Sequence, residues 1–482
     1  MQKQLGKKET SSFVWIVSVV GLSVLLILSA PSAEAQGDKE QYSSAIQQIF
    51  DFIQRRYVEE VDPQVLYEGA MKGMFEALGD PYSAFLPAAE MTDITDTTQG
   101  RFGGVGLYIS KQVVKDKTPS FVEVAAPIED TPGWRAGILP GDLIVKIEDE
   151  STADLTMNEV LDRLRGRPGT KVNLIIRRGK LLEFPTSLER AIIEVPTAKY
   201  AMIGDIGYLK LITFTPMTAQ RTRETILEFK SKNYKAIILD LRNNYGGLLN
   251  SAVDICDMFL DGGVVVSTKS RLPGENVVYN AKKGALVSPD IPVIVLINQG
   301  SASASEIVSG ALKDRGRAYL VGEKSYGKGS VQQVFPLSDR DGFRITVARY
   351  YTPSDVNIDR IGIPPDREVK FPEFTEEDVK ELQKLLESNE IRNYIEAHTD
   401  LNDNDSEIAA FTESLNKKYG LDVTLLKRLV RDEQNRTKIA PVFDLEYDVQ
   451  LQESVKILRD GSYSQAMQNT KTLKQLQEQV LD

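Results

Sequence analysis

One histidine and one cysteine in 482 residues narrow the chemistry before any motif is read. His398 lies far downstream in a helical, acidic stretch. Triads are spatial rather than sequential, yet a Ser-His-Asp triad would have to recruit this residue from what reads as a separate tail. A lysine is the better candidate base. Cys256, in AVDICDMFL, has no intrachain disulfide partner and reads as a small core hydrophobe rather than a reactive thiol. No H-E-x-x-H and no cysteine-rich ligand spacing occurs, so a metalloprotease has no support and no metal or cofactor is called for. Basic excess is lacking too: a net charge of −11 argues against a general nucleic-acid binder, whose footprint would be basic. Internal repeats and dominant low-complexity tracts are also missing. With 41% hydrophobic and 26% charged residues the composition is globular, and the length suits about three or four domains.

What is present begins at the N-terminus. Lys3, Lys7 and Lys8 precede an apolar run, Phe13–Leu28, which leads to Ala33-Glu34-Ala35. A basic start, an apolar middle and a small-residue end predict a secretory leader cut after Ala35. The run is near the short end for a membrane span, so a retained anchor stays open. Either way the rest of the chain is expected outside the cytoplasm, in a periplasm or on the outer face of the cytoplasmic membrane. A large core needs no disulfide staple, so the lack of cysteine pairs does not conflict with export.

Beyond residue 35 the periodicity changes three times. Residues 36–96 read as helical, with Ile46, Ile49, Phe50 and Ile53 on one stripe and Val65, Leu66, Met71, Met74 and Phe75 on the next, until LGDPYSAFL (78–86) interrupts. Residues 97–187 read as short strands and glycine turns, a small β-rich module with one amphipathic helix at Met157–Leu164. Residues 188–370 alternate apolar strands such as KAIILDL (235–241) and PVIVLI (292–297) with helical stretches, which predicts a mixed or parallel sheet with its site at the strand C-terminal ends. Residues 371–482 read as charged and helical, with TDLNDNDSE (399–407) as a solvated linker. The class is multidomain α+β.

The chemistry concentrates in GSASASEI and the YGKGS that follows it. A strand-like run leads into a helix opened by Ser301, Ser303 and Ser305, and Lys328 arrives later between glycines. A hydroxyl at a helix N-terminus beside a lysine in a tight loop is what a Ser–Lys nucleophile needs. Taken singly, each part has a plainer reading. Ser303 with Glu306 is an S-x-x-E capping box, and Ser301 and Ser305 are equally good caps. Lys328 alone is an exposed loop lysine, Gly246-Gly247 a turn, and Gln332 unremarked. Gly322-x4-Gly327-Lys328 also matches most of a phosphate-binding loop, but Gly329 stands where the magnesium-binding hydroxyl belongs and no helix is expected after it.

Together and in order, LDLRNNYGGLL (239–249), NQGSASASEI (298–307) and GEKSYGKGSVQ (322–332) resemble the C-terminal processing peptidases, or tail-specific proteases. FGGVG and AGILPGDLIVKI within 98–186, GDPYSAFL upstream and YYTPSD…GIPPD (350–366) downstream fit the same family, so the resemblance covers nearly all of the expected mature chain. It implies a ClpP/crotonase-like αβ serine-protease core, an inserted PDZ-like domain and helical ends. It implies Ser303 as nucleophile, Lys328 as general base and Gln332 as the residue orienting the lysine. The N–H of Ala304, with one from Gly246 or Gly247, would form the oxyanion hole. A lysine base must be neutral, which burial promotes by lowering its pKa from ~10.4 toward ~7–8. In the PDZ-like domain, Phe102, Gly103, Gly104, Val105 and Gly106 would supply N–H groups to a peptide's terminal carboxylate. Arg165, in RGRPGT, either couples that domain to the protease core or is simply solvated. Asp314 matches a position where family members place a supporting carboxylate, with a surface role equally open.

Two positions depart from the family pattern. Tyr245 stands for the proline of NPGG, and Asp355 for the glycine of YYTPSG. The expected partners are protein substrates with apolar C-terminal tails, an adaptor or activator protein, and a second copy of the chain, with no nucleic acid. Phe443, Leu445, Leu451, Val455 and Leu458 are apolar material either for a dimer or for the chain's own core. A non-catalytic or partner-gated scaffold that binds peptide tails is the alternative reading.

Overall fold

The parallel strands at the centre of this chain are apolar at nearly every position, because both faces of their sheet are covered. A computed structural model describes residues 33–481 apart from 89, 92–93, 95–99, 112–119, 180–181, 339, 399–405 and 437–440. The expected leader or anchor, save its last three residues, and most of the stretch 399–407 lie outside the described residues. Among those described, no helix is long and apolar enough to cross a membrane.

Two units divide the chain after Phe85. In the first, α1 (Ala33–Arg56) carries the apolar stripe of Ile46, Ile49, Phe50 and Ile53, with Ile46 and Ile49 exposed. The next helix, α2 (Pro63–Glu76), starts where proline suits the first helical position, and Asp62 caps it by accepting the Gln64 N–H at 2.9 Å. Asp80 then folds the GDPYS turn, accepting the Tyr82 N–H at 3.0 Å and the Ser83 hydroxyl at 2.5 Å.

The second unit opens with the β-rich module expected to be PDZ-like. Its elements are β1 (Arg101–Gly104), β2 (Leu107–Ser110), β3 (Val122–Pro127), β4 (Leu143–Ile147), α3 (Met157–Leu164), β5 (Lys171–Arg178), β6 (Leu182–Glu189) and β7 (Ala191–Glu194). Strands β2-β3-β4-β5-β6 form an antiparallel sheet in that order, with β2 at one edge, while β1 pairs with β7 where the chain comes in and leaves. On β5 the buried residues Val172, Leu174 and Ile176 alternate with outward ones, the period-two signature of a half-covered strand. Helix α3 is held by a reciprocal box between Thr156 and Glu159 and buries Val160 and Leu164.

The core comes next, with β8 (Ala198–Ile203), β9 (Ile206–Leu211), α4 (Pro216–Ser231), β10 (Ala236–Asp240), α5 (Leu249–Phe259), β11 (Gly263–Ser270), β12 (Val277–Ala281), β13 (Val293–Ile297), α6 (Ala304–Asp314), β14 (Tyr319–Gly322), β15 (Ser330–Pro336), β16 (Gly342–Tyr351) and β17 (Arg367–Glu368). Its main sheet has the order β8-β9-β10-β13-β14-β17, parallel except for β8. Strands β10, β13 and β14 therefore end at one edge, and the loops after them carry the three motif segments. A second sheet contains the β15–β16 hairpin, joined through β16 to β11 and β12. Helices α4, α5 and α6 pack on one face of the main sheet, around Phe214, Phe229, Ile255 and Leu312.

The C-terminal region does two separate jobs. Helices α7 (Glu376–Ser388), α8 (Glu390–Ala397), α9 (Ser406–Tyr419) and α10 (Val423–Gln434) share a small core around Leu385, Ile391, Leu415 and Leu426. The following segment, through α11 (Val449–Arg459), covers the second face of the main sheet: Leu451, Val455, Phe443, Leu445 and Leu458 join Tyr208, Ile238, Ile294 and Leu296 in one cluster. The apolar residues open to a dimer or to the chain's own core are thus used in the core. Replacing fully buried Leu451 by alanine removes part of this contact and leaves a cavity, so Leu451→Ala should lose about 2–5 kcal/mol. Urea unfolding measures this, and an unchanged midpoint would show that the C-terminal segment does not depend on this packing.

Candidate active site

Ser303 sits immediately before α6 with φ 55° and ψ −114°, a region that side chains rarely adopt. Such a conformation costs of order 1–3 kcal/mol and persists only when its surroundings over-determine it. Here the Ser303 N–H donates to Glu306 Oε2 at 2.9 Å. The Ser303 carbonyl oxygen accepts the N–H groups of Glu306 (2.8 Å) and Ile307 (3.0 Å) and the Tyr350 hydroxyl (3.3 Å). The expected capping box is present, with Glu306 reaching back to the Ser303 N–H, although no hydrogen bond of regular geometry draws in the serine hydroxyl. The neighbouring serines are structural. Ser301 Oγ accepts the Asn298 N–H (3.0 Å) and donates to the Leu241 carbonyl (2.9 Å), and Ser305 Oγ donates to the Asn244 carbonyl (2.7 Å). Among the described residues, only the Ser303 hydroxyl of the three makes no regular hydrogen bond to the scaffold.

The glycine pair lies directly against it. Gly246 has φ 103° and Gly247 φ 141°, both in the region that favours glycine. A Cβ on Gly246 would lie 2.8 Å from Ser303 Cβ and 3.0 Å from Ala304 N, while one on Gly247 would lie 2.1 Å from the Phe214 carbonyl oxygen. The fully buried Asn244 shapes this loop, its Oδ1 accepting the Gly246 N–H (2.9 Å) and its Nδ2 donating to the Leu211 carbonyl (2.9 Å). The Gly246 N–H is thereby taken. Among the described residues, the N–H groups of Gly247 and Ala304 have no hydrogen-bond partner. Tyr245, where the family pattern has proline, points a largely exposed side chain outward and leaves the glycine turn in place.

Lys328 is half-buried in the loop after β14, and Glu306 ties that loop to the serine. The Glu306 carboxylate, 0% exposed, accepts the Ser325 hydroxyl (2.6 Å) and the Gly327 N–H (2.7 Å) on Oε1, and the N–H groups of Ser303 (2.9 Å) and Lys328 (2.9 Å) on Oε2. Burial pushes its pKa up, and those four hydrogen bonds pull the other way. The buried Tyr350 adds a second tie, its hydroxyl lying between the carbonyl oxygens of Ser303 and Lys328. The glycines flanking Lys328 permit close approach: a Cβ would lie 2.8 Å from Gly362 N at Gly327, and 2.5 Å from Asp359 N at Gly329. On β15, Gln332 Nε2 donates to Ser330 Oγ (2.8 Å) and Thr346 Oγ1 (3.3 Å). The loop leads into this strand and not into a helix, so the phosphate-loop resemblance ends here.

Glu306 had a visible signal, the S-x-x-E spacing, but one that points to a cap and not to a third loop. Tyr350 has no local signal at all. Asp314 is half-buried and structural: Oδ2 accepts the Ser354 N–H (3.0 Å) and hydroxyl (2.6 Å), and Oδ1 accepts the Leu473 N–H (2.7 Å). Asp355, at φ 62°, pairs with Lys269 at 2.5 Å, an exposed contact worth little in stability.

In the PDZ-like module, Phe102, Gly103 and Gly104 belong to β1, and Val105 and Gly106 turn the chain into the edge strand β2. The Gly103 carbonyl accepts the Gly166 N–H at 3.1 Å, and Gly106 at φ 76° leaves no room for a Cβ beside Thr131. Arg165, for which a solvated role was open, lies over the Phe102 ring with 5.3 Å to the centroid.

The chain matches the family model of peptidase family S41 over residues 205–369, a PDZ domain over 123–178, and the N-terminal domain of the activating protease CtpB over 27–89. It is 40% identical to a carboxy-terminal-processing protease of Bartonella bacilliformis over 405 residues, covering 83% of this chain and 91% of that one. With the carboxy-terminal processing protease CtpA of Bacillus subtilis it shares 29% identity over 383 residues, 78% of this chain and 80% of that one. Among solved structures, the photosystem II D1 C-terminal processing protease aligns at 28% identity with a TM-score of 0.40, covering 67% of this chain and 92% of that chain.

The four-donor carboxylate gives a direct test. Glu306→Gln turns an amide NH2 toward N–H groups that need an acceptor, at about 1–3 kcal/mol for the unsatisfied group. The variant should lose stability in chemical denaturation and cleave peptides at least about tenfold more slowly. Parental values for both would show that the carboxylate does not hold the two loops together.

Proposed function

The chain belongs to the carboxy-terminal-processing proteases of peptidase family S41 and is a serine-type peptidase; on that premise we propose that it cleaves proteins recognised by their C-terminal tails, with Ser303 as nucleophile and Lys328 as general base. The observation that carries this is the strained Ser303 at the start of α6, with the glycine pair against it and, among the described residues, no partner on the N–H groups of Ala304 and Gly247. Ser303 Oγ attacks the peptide carbonyl and gives its proton to neutral Lys328 Nζ. The negative charge that develops on the carbonyl oxygen is received by the N–H groups of Ala304 and Gly247, each worth about 3–4 kcal/mol, at the positive end of α6. The engagement of the Gly246 N–H by Asn244 favours Gly247 of the two glycines. Lys328 then protonates the leaving amine, and water releases the acyl-enzyme by the same proton path in reverse.

Gln332 is the orienting residue of this reading. Its amide nitrogen is occupied by Ser330 and Thr346, which turns the amide oxygen into the acceptor available to a lysine amine. A neutral acceptor positions the amine without stabilising its charged form as a carboxylate would. Tail recognition rests on the PDZ domain: β2 is an edge strand to which a peptide adds, and the loop Phe102–Gly106 faces its terminal carboxylate. The match to the N-terminal domain of an activating protease supports regulation by a partner or adaptor. The basic and apolar N-terminus supports action outside the cytoplasm.

Cleavage of an unfolded reporter with an apolar C-terminal tail, by residues 36–482 and by the same chain with Ser303→Ala, tests this directly. The parent should cleave and the variant should not, with unfolding midpoints nearly equal. Parental activity in Ser303→Ala would sink the nucleophile assignment. A reporter that binds but is not cut by either, even at high enzyme concentration, would favour a peptide-binding scaffold.

A further inference from the structure

The loop that carries Gly246 and Gly247 has an anchor far away in the chain. Arg242, 7% exposed, opens this loop just after β10. Its Nε and Nη2 donate to Asp240 Oδ1 (3.0 Å) and Oδ2 (2.6 Å). Its Nη1 and Nη2 donate to Asp448 Oδ1 (2.8 Å) and Oδ2 (2.6 Å), and Nη1 also reaches Gln450 Oε1 (3.0 Å). All five guanidinium hydrogens are thereby used. Each partner is itself fixed. Asp240 also accepts the Tyr208 hydroxyl (2.6 Å) and the Arg242 N–H (2.9 Å), Asp448 caps α11 through the Leu451 N–H (3.0 Å), and Gln450 Nε2 donates to the Val369 carbonyl (2.8 Å).

We infer that Asp448 and Gln450, at the start of α11, position the oxyanion loop of the active site through Arg242. The inference rests on the Ser303–Lys328 reading. The apolar side chains of α11 already bind the C-terminal segment to the sheet, so adhesion does not call for this cluster. Buried ion clusters are weak stabilisers, whereas a planar fork gripped by two carboxylates fixes orientation. The loop needs that: Asn243, Gly246 and Gly247 all have positive φ, at 58°, 103° and 141°, and their geometry decides where the Gly247 N–H points. Past Arg242 the loop is held by Asn298 at Asn243, by Leu211 at Asn244, and by Phe214 at Gly246. The C-terminal segment supplies the hold at its start. Catalytic geometry is therefore complete only once the last part of the chain has docked.

The test uses the full mature chain and the tailed reporter, well below every unfolding midpoint. Asp448→Asn keeps the side-chain shape but places an NH2 or a neutral oxygen against Arg242. It should lower kcat about 10- to 100-fold, as for a misplaced catalytic group, with KM within about twofold. Gln450→Met, which removes one acceptor in a similar volume, should lower kcat about threefold and serves if Asp448→Asn does not fold. Val455→Ala, a core change with no contact to Arg242, should lower the unfolding midpoint and leave kcat parental. Parental kcat in the folded Asp448 or Gln450 variant overturns the inference and leaves the Ser303 reading standing, provided Ser303→Ala is inactive. Parental cleavage by Ser303→Ala overturns both.

Discussion

A single buried carboxylate holds the site together. Glu306 is on the first turn of α6, so its backbone belongs to the helix that Ser303 opens while its side chain faces the loop that brings Lys328. Burying a carboxylate is costly unless its lone pairs are met, and here four donors meet them. Three of those donors are backbone N–H groups, so the carboxylate fixes main chain and not merely side chains. The unusual conformation of Ser303 is a consequence: the Ser303 N–H is held toward Glu306 while its carbonyl oxygen is held by the helix and by Tyr350. Among the described residues, the serine hydroxyl makes none of the regular hydrogen bonds that hold this conformation.

The rest of the core serves to bring three loops together, two of them meeting at this carboxylate and the glycine loop lying against Ser303. Parallel strands β10, β13 and β14 are neighbours in register, so the loops leaving their C-terminal ends all emerge at the same edge. Parallel pairing demands cover on both faces. Helices α4 to α6 supply one side and the C-terminal segment the other. That second cover also brings Asp448 to Arg242, so the element that buries the sheet is the one that reaches the glycine loop. The PDZ domain has its own core around Val124, Ile144, Val160 and Leu174, separate from the clusters of the protease core.

Much of this was legible in the sequence wherever a local rule governs. The apolar runs at 236–239 and 293–297 mark buried parallel strands, short strands and glycine turns over 97–187 mark a β-rich module, and the spacing at Met157–Leu164 marks its helix. The paired glycines announce a backbone that must adopt positive φ, and the ordered motifs announce a family. Legibility stopped where the deciding contact is not local. Ser301, Ser303 and Ser305 look alike as caps, and they separate only because Leu241 and Asn244, from another loop, occupy two of the hydroxyls.

The sequence by itself determined the composition class, the order of modules, the residue types of the site and the positions where only glycine suits the backbone. These are set by short-range sterics and periodicity, which depend on neighbours along the chain. The tertiary structure alone decided that Glu306 is a tie between loops as well as a cap, that Asn244 occupies the Gly246 N–H and leaves that of Gly247 open among the described residues, and that the apolar C-terminal segment covers its own sheet. Each of these turns on which buried donor or apolar face meets which partner across long chain separations. That is settled by packing in three dimensions, and no spacing in the sequence encodes it.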